Sequence, residues 1–229
     1  ILAVARQQWP FAGVLGALAF MDWQVGALVG IGATAYTKDS QRSVEALALE
    51  ACREAINDAG LTRDDVDGIV TYGLADTVST STVATGLGLP HLRYSVDLNA
   101  GGNMAAGSVL HAAMAVATGQ AECVVVYRAL NGSSGVRYGG IEFTELLEQT
   151  SIHSDAESQF LSPYGILMPA HEFAMLCRRH MIEFGTTHEQ LGAVATTCRE
   201  HANLNPRAQM QHREMSMNDY LHSPWVADP

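Results

Sequence analysis

The sequence has little positive charge, and that deficit removes whole classes of partner. Its 229 residues include 13 lysines and arginines against 24 aspartates and glutamates, a formal net charge of −11 at pH 7. Binding to the phosphates of nucleic acids requires a basic face, so a nucleic-acid partner is disfavoured. Anionic membrane surfaces are disfavoured for the same reason.

Cysteine is also scarce, and its spacing excludes the usual metal and redox motifs. The four cysteines are Cys52, Cys123, Cys177 and Cys198, and no C-x-x-C pair occurs. Three of them fall within apolar helix or strand patterns, which favours buried, reduced thiols over a disulfide framework. This usage predicts a reducing, cytoplasmic location.

Long hydrophobic runs are missing too. The segment "PFAGVLGALAF" (10–20) is shorter than the roughly 20 apolar residues that cross a bilayer. The chain opens on Ile1, whereas Met21 stands directly before the first strand pattern. We therefore expect residues 1–20 to be translated upstream sequence with Met21 as the native start, and 1–24 to be a non-native or disordered extension. N-terminal mass analysis of the natural protein tests this.

The remainder is rich in apolar residues, which make up 48% of the chain. Strand patterns alternate with helix patterns, and the strands are continuously apolar, which predicts an α/β fold with a parallel or mixed sheet covered on both faces. The predicted core domain is 25–140. Its strands are expected at 25–36, 68–72, 92–98 and 122–129, and its helices at 43–60 and 104–118.

A second region, 141–229, differs in character and is predicted to be a loop-rich, helical insertion. The pattern predicts a helix over 169–185. A capping box then places Thr186 at the N-cap of a further helix that ends near residue 202.

Three short motifs suggest cofactors but lack necessary members. "VGIGAT" (29–34) has no third glycine of a dinucleotide fingerprint, so a tight strand exit is favoured. "HEFAM" (171–175) lacks the second histidine of a zinc helix, and Cys198 with His201 has no further ligand nearby, so a packed thiol beside a surface histidine is favoured. No metal site is predicted.

Two loops carry candidate binding residues. In "YRALNGSSGVRYGG" (127–140) a buried strand ends in a glycine-rich loop, and ligands of α/β sheets bind beyond the carboxyl ends of strands. Arg128, Asn131 and Arg137 are therefore candidates for an anionic or thioester ligand. In "SPYGILMP" (162–169) Tyr164 and Met168 are candidates for a pocket lining. An ordinary connection with surface ion pairs, and a structural turn, are the alternatives.

The segment "DLNAGGNMAAGSVLHAAMAVATG" (97–119) is a strand end, a glycine turn and a helix with small side chains. A central helix whose N-terminus faces a pocket presents partial positive charge there, which suits a thioester oxygen. The candidates are Asn99, Gly101, Gly102 and Asn103. None is a competent nucleophile, and close packing alone is the alternative explanation of the small side chains.

The ordered set of segments resembles the N-terminal half of a thiolase-superfamily protein over about 25–229. The resemblance is carried by "VGIGATAY", "ALEACREAINDAGLTRDDVDGIV", "AMAVATGQAECVVV", "PAHEFAM" and "TTHEQLGAVA" with the segments that follow it to "SPWVADP". It implies a layered α/β/α sheet domain, the first of two pseudo-repeats, with the chain truncated before the second.

Within that superfamily, Gly102 stands where thiolases carry the cysteine that takes the acyl group. "YRALNGSSGVRYG" and "SPYGILMPA" are similar to the lipid-transfer or sterol-carrier-like branch, which includes aldolases that cleave steroid side-chain coenzyme A thioesters. The resemblance implies retro-aldol cleavage of a β-hydroxyacyl-CoA without an acyl-enzyme. It places the acid/base tyrosines in the C-terminal half, so the catalytic residues of this chain stay unknown and the isolated chain is expected to be inactive.

The same resemblance implies coenzyme A as part of the substrate, no covalent cofactor, and a small acyl-CoA-binding partner with an OB-fold and zinc ribbon. It also implies a homodimer through the predicted edge strand at 92–97. The alternatives are an acetyl-CoA acetyltransferase or other acyltransferase of the thiolase family, and a non-catalytic lipid or acyl-CoA carrier.

Overall fold

The structure is a computed structural model that describes residues 2–7, 25–37, 39–74, 76–131, 156–166 and 169–228. The chain forms two compact units, Ile1–Gly135 and Val136–Pro229. The predicted boundary near residue 140 lies outside the described residues and stays a prediction.

The described residues of the first unit form five strands and three α-helices. The strands are β1 (Leu2–Gln7), β2 (Val25–Ile31), β3 (Gly68–Gly73), β4 (Tyr94–Asn99) and β5 (Cys123–Tyr127), and the helices are α1 (Val44–Asp58), α2 (Thr80–Leu87) and α3 (Met104–Ala117).

These strands form one mixed sheet in the order β2-β1-β5-β3-β4. Strands β3, β4 and β5 run parallel, and β1 runs antiparallel to both of its neighbours. The prediction of a parallel or mixed sheet is therefore confirmed. That Leu2–Gln7 form a strand was not predicted, and whether segment 1–24 belongs to the native protein stays a prediction.

Helices cover both faces of the sheet at β5, where neighbouring residues point to opposite sides. On one face Cys123, Val125 and Tyr127 of β5 pack with α1 and α2. On the other face Val124 and Val126 pack with α3. This is the layered α/β/α arrangement that the sequence predicts.

Local signals in the sequence account for the helix ends. Ser43 caps α1 by accepting a hydrogen bond from the Ala46 N–H at 3.1 Å. Gly60 follows that helix with φ +68°, the left-handed conformation that favours glycine. The same signals bracket α2, which has Ser79 as its N-cap and Gly88 at φ +67°. We did not predict α2, because its threonines and valine are weak helix formers.

Asp67 stabilises the N-terminal ends of the parallel strands through hydrogen bonds. Its carboxylate accepts hydrogen bonds from the N–H groups of Glu122 and Cys123, and from the Arg93 guanidinium at 3.4 Å. The Asp67 carbonyl also accepts from the N–H groups of Arg93 and Tyr94. This edge is therefore closed by the protein's own polar groups.

The described residues of the second unit form helices joined by turns and loops. The helices are α4 (Ala156–Leu161), α5 (Pro169–Phe184), α6 (His188–Leu204) and α7 (Met217–Leu221), with a 3-10 turn at Ser162–Tyr164. The N-cap of α6 is Thr187, in a capping box with Gln190, rather than Thr186 as the sequence predicts. The correction is one residue, since Thr187 has the extended backbone that an N-cap needs.

None of the helices in the described part of the chain has the length and apolarity needed to cross a bilayer.

Candidate functional site

The parallel strands bring two separately predicted segments to one edge of the sheet. Gly73 at the end of β3 lies opposite Asn99 at the end of β4, and the Ala100 N–H donates to the Gly73 carbonyl at 3.1 Å. Arg128 directly follows the adjacent strand β5. The glycine turn and the arginine loop therefore begin at the same carboxyl edge, where ligands of α/β sheets bind.

The glycine turn leads into α3 with unfilled backbone donors. The N–H of Met104 donates to the Gly101 carbonyl at 3.0 Å, and that of Ala105 to the Gly102 carbonyl at 3.2 Å. Asn103 makes no side-chain cap. Among the residues that the structure describes, the N–H groups of Gly102 and Asn103 have no acceptor, and both residues are exposed. They can donate to an oxygen of a ligand.

The space in front of Gly102 is open. A Cβ built on this glycine meets no atom within 4 Å, and its φ lies outside the left-handed region. On the next turn of the helix, a Cβ on Gly107 would collide with the side chain of Met104. The backbone at residue 102 can therefore carry a side chain. Lack of space does not explain why a nucleophile is absent at this position. What the glycine provides is free volume beside the helix N-terminus.

Arg128 is held by internal partners. Its guanidinium donates to both carboxylate oxygens of Asp76, at 2.8 and 2.6 Å, and to the Tyr72 carbonyl at 2.8 Å. It also lies over the Tyr72 ring, 4.9 Å from the centroid. The side chains of Arg128 and Asp76 are 20% and 1% exposed, so this is a largely buried ion pair. Arg128 was predicted as a ligand-binding residue, and that role stays a prediction.

Sequence reasoning missed Asp76, the partner of that arginine. Burial raises the pKa of the Asp76 carboxyl, but hydrogen bonds from Arg128 and from the Leu74 N–H outweigh burial and hold the pKa below its usual value. The available signal was an acidic residue three positions after the end of β3, at the edge where Arg128 leaves β5. A Cβ on Gly73 would lie 2.5 Å from the Arg128 Nη1 atom, so the pair also requires this glycine.

Further hydrogen bonds fix the loop between β3 and α2. The Tyr127 hydroxyl donates to the Val78 carbonyl at 2.6 Å, and the Ala129 N–H donates to the Thr77 Oγ1 atom at 3.4 Å. Burial raises the pKa of Tyr127 above that of an ordinary phenol. This tyrosine therefore stays neutral and anchors the loop rather than serving as a base.

Asn131 connects two loops at the far side of the same edge. Its amide nitrogen donates to the Arg42 carbonyl at 2.6 Å, and its amide oxygen accepts from the Ser40 hydroxyl at 2.8 Å. A cavity of about 380 Å³ lies between these loops and is lined by 32–37 and 128–131, among others. Asn131 thus lines a cavity at the sheet edge as well as holding the chain.

The remaining predicted residues, Arg137, Tyr164 and Met168, belong to the second unit. Tyr164 is 72% exposed there and borders a cavity of about 630 Å³ with His171 and Arg178. Arg137 and Met168 lie outside the described residues.

The two cysteines of the first unit, Cys52 and Cys123, supply no replacement nucleophile at the glycine turn. Burial raises the pKa of Cys52 to about 12 and that of Cys123 to about 11, so both stay protonated near neutral pH. Cys198 is exposed, which corrects the expectation of a packed thiol, because Gly192 is the one residue that α6 buries. In the described part of the chain, no group of three or more acidic, histidine or cysteine side chains is arranged to hold a metal.

Comparison with known proteins agrees with the sequence-based resemblance. The chain is 45% identical over 203 residues to a protein from Thermomonospora curvata named steroid side-chain-cleaving aldolase, covering 89% of this chain and 51% of that protein. It is 41% identical over 205 residues to the 17-hydroxy-3-oxo-4-pregnene-20-carboxyl-CoA lyase of Mycobacterium tuberculosis, covering 89% and 52%. The predicted resemblance is confirmed.

The solved structure of an "Ltp2-ChsH2(DUF35) aldolase" agrees at the level of the fold. It matches with a TM-score of 0.76 and 42% identity, over 90% of this chain and 50% of that one. An acetyl-CoA acetyltransferase from Methanothermobacter thermautotrophicus is 30% identical. No family model matches the chain. The chain spans about half the length of the curated relatives it matches.

Proposed function

We propose that this chain forms the N-terminal half of the site of an acyl-CoA retro-aldolase, with a steroid side chain as the acyl group. Two relatives above 40% identity are named for this type of cleavage. The observation that carries the proposal is the combination at Gly102: open volume, two exposed backbone donors and no nucleophile.

The chemistry of the cleavage matches these features. A base takes the proton of the β-hydroxyl group, the bond between the α- and β-carbons breaks, and the β-carbon becomes a carbonyl. The electron pair passes to the thioester as an enolate, which takes a proton at the α-carbon. No acyl-enzyme forms. The N–H groups of Gly102 and Asn103 would stabilise the enolate oxygen as an oxyanion hole does.

We place the general base outside the residues described here. The buried Tyr127 is held neutral by its environment and already donates to Val78. By resemblance, the base is a tyrosine of the C-terminal half. Asn99, Gly101, Arg128, Asn131, Arg137, Tyr164 and Met168 would shape or line the acyl-CoA site.

An activity measurement distinguishes this proposal from its alternatives. The full-length protein that contains this chain is incubated, together with a small OB-fold and zinc-ribbon partner, with 17-hydroxy-3-oxo-4-pregnene-20-carboxyl-CoA. The aldolase releases a 17-ketosteroid and propanoyl-CoA in equal amounts. Radiolabelled acyl groups retained on the protein would instead identify an acyltransferase, and saturable binding without products would identify a carrier.

Substitution at Gly102 tests the residue on which the proposal depends. Gly102→Cys should fold with nearly unchanged stability, because the added atoms meet open space, and should lower the cleavage rate by roughly ten-fold or more by filling the volume beside the donors. Ala106→Cys, one turn later on α3 and exposed, introduces the same thiol as a control and should keep the wild-type rate. Equal rates for the two variants would contradict the proposal.

We also propose a homodimer through the edge of the sheet at β4. Within the described residues, β4 pairs on one side alone, with β3. Exposed apolar residues lie nearby on 92–97 and on α3, including Leu92, Leu110 and Met114. Light scattering should show a dimer for the wild type and a shift towards monomer for Leu92→Lys. Leu130→Lys, also exposed but away from β4, is the control.

A further inference from the structure

Leu74, which belongs to none of the sequence motifs, borders the glycine turn. It directly follows β3, the neighbour of β4 in the sheet, and the Ala100 N–H donates to the Gly73 carbonyl at 3.1 Å. This hydrogen bond brings the first residue after β3 next to the turn that follows β4. A Cβ built on Gly101 would lie 3.7 Å from the Leu74 Cδ1 atom, which is ordinary van der Waals contact.

The leucine borders the open volume of the turn without filling it. The same Cβ position on Gly101 is 3.7 Å from the Asn103 Oδ1 atom, so one apolar and one polar side chain lie beside this glycine. No atom of Leu74 comes within 4 Å of a Cβ on Gly102. Leu74 is half-buried, so part of its side chain is accessible. A ligand that has an oxygen at the Gly102 and Asn103 donors would therefore find an apolar surface at the neighbouring residue of the turn.

The buried ion pair fixes the position of Leu74. The Leu74 N–H donates to the Asp76 Oδ1 atom at 2.9 Å, and the same carboxylate accepts two hydrogen bonds from the Arg128 guanidinium. Because the Asp76 side chain is 1% exposed, the backbone at Leu74 is tied to a buried group rather than to a surface loop. A side chain that is held in this way can discriminate between ligands by their size and shape.

We infer that Leu74 determines specificity at the acyl-CoA site, by packing against the apolar part of the acyl group whose thioester oxygen lies at the Gly102 and Asn103 donors. This role rests on the proposed function. The ligand class is a thioester with a bulky apolar group next to the carbon–carbon bond that breaks. A leucine suits such a group, because apolar surfaces that leave water together gain free energy. Leu74 takes no part in proton transfer, so its contribution is to binding.

Kinetics of the full-length protein that contains this chain, with its partner, separate binding from chemistry. Leu74→Ala removes the contact and should raise the KM for 17-hydroxy-3-oxo-4-pregnene-20-carboxyl-CoA by about ten-fold, with kcat within about two-fold of the wild type. Leu74→Met keeps the apolar volume and should restore the KM. Leu89→Ala is the control, since Leu89 is also half-buried but lies between α2 and the amino end of β4. An unchanged KM in Leu74→Ala, or an equal rise in Leu89→Ala, overturns the inference.

Protection of a thiol at residue 74 tests the contact without turnover. The probe is the same thioester without its 17-hydroxyl group, which leaves no β-hydroxyl for the base and therefore cannot be cleaved. A saturating concentration of the probe should slow alkylation of Leu74→Cys severalfold and leave alkylation of Leu89→Cys unchanged, as peptide mapping measures. Protection of residue 74 in a protein that cleaves no substrate would refute the proposed aldolase and retain this contact. Equal alkylation of Leu74→Cys with and without the probe overturns the inference, whether or not cleavage is observed.

Discussion

Helices of the two units have similar lengths but differ in what they bury. In the first unit, α1 buries six of its 15 residues against the sheet and α2. In the second unit, none of the 16 residues of α5 is buried, and Gly192 is the one buried residue of α6. The apolar side chains of these two helices that are largely exposed are Phe173, Met175, Leu176, Ile182, Phe184, Val194 and Leu204. An amphipathic pattern therefore predicts a helix without predicting what covers it.

The largest expected difference in stability between the two units comes from breaking an ion pair in each. Arg128→Met leaves the Asp76 carboxylate buried without its partner, which should lower the free energy of unfolding of the first unit by about 3–5 kcal/mol. The pair of Arg179 and Glu183 in α5 is exposed on both sides, so Arg179→Met should change stability by less than about 1 kcal/mol. Urea unfolding followed by circular dichroism measures both. Similar losses would show that the two ion pairs are equivalent.

Truncation of an isoleucine in each unit should give the next largest difference in stability between the units. Ile69 on β3 is fully buried, and Ile69→Ala should cost about 2–5 kcal/mol through lost contacts and a cavity. Ile182 on α5 is 72% exposed, and Ile182→Ala should stay within about 0.5 kcal/mol of the wild type. A comparable cost at Ile182 would mean that another surface covers α5 in solution, which would remove the contrast between the units.

Lowering the pH should cause a smaller loss of stability, and this loss again concerns the first unit. The folded-state pKa of Asp76 is depressed, so the carboxylate contributes stability that is present above the unfolded-state pKa of about 3.9 and is lost as the pH falls through the folded-state value. Urea midpoints between pH 6 and about pH 3 should therefore fall more for the wild type than for Asp76→Asn, which cannot titrate at this position. Equal falls of the urea midpoint in the wild type and in Asp76→Asn would contradict the depressed pKa of Asp76.

Loss of a helix cap should have the smallest effect on stability. Its cost should be the same in both units, because a helix cap acts locally. Ser43→Ala removes the cap of α1 and Thr187→Ala removes that of α6, and each should cost about 1 kcal/mol. Aspartate at either position should restore most of the loss, since it accepts the same hydrogen bond. Thermal unfolding of the four variants measures the costs. Unequal costs would show that a cap in this protein depends on the surroundings of its helix.

Much of the fold was predictable because its signals are local. The strand at 68–72, the helix at 104–118 and the glycine after α1 follow from apolar period and from capping residues, and the structure has them within a few residues of the predicted bounds. The segment 25–36 is predicted to be a strand that runs into a turn, and in the structure the strand ends at Ile31. The interior position of β1 depends on pairing with β5, more than 110 residues away, and no local pattern records it.

The candidate site was predictable in outline and not in its contacts. Because parallel strands end at the same edge, the sequence could place the glycine turn and Arg128 together. The partner of Arg128 could not be chosen from the sequence, since Asp76 is 52 positions away and several acidic residues are as close along the chain. The roles of Asn99, Arg137, Tyr164 and Met168 stay predictions.

The open space at Gly102 has an evolutionary consequence. Some glycine codons differ from a cysteine codon by a single base, and this backbone has room for the larger side chain without rearrangement. A glycine and a cysteine at this position can therefore be exchanged in one mutational step without a rearrangement of the turn.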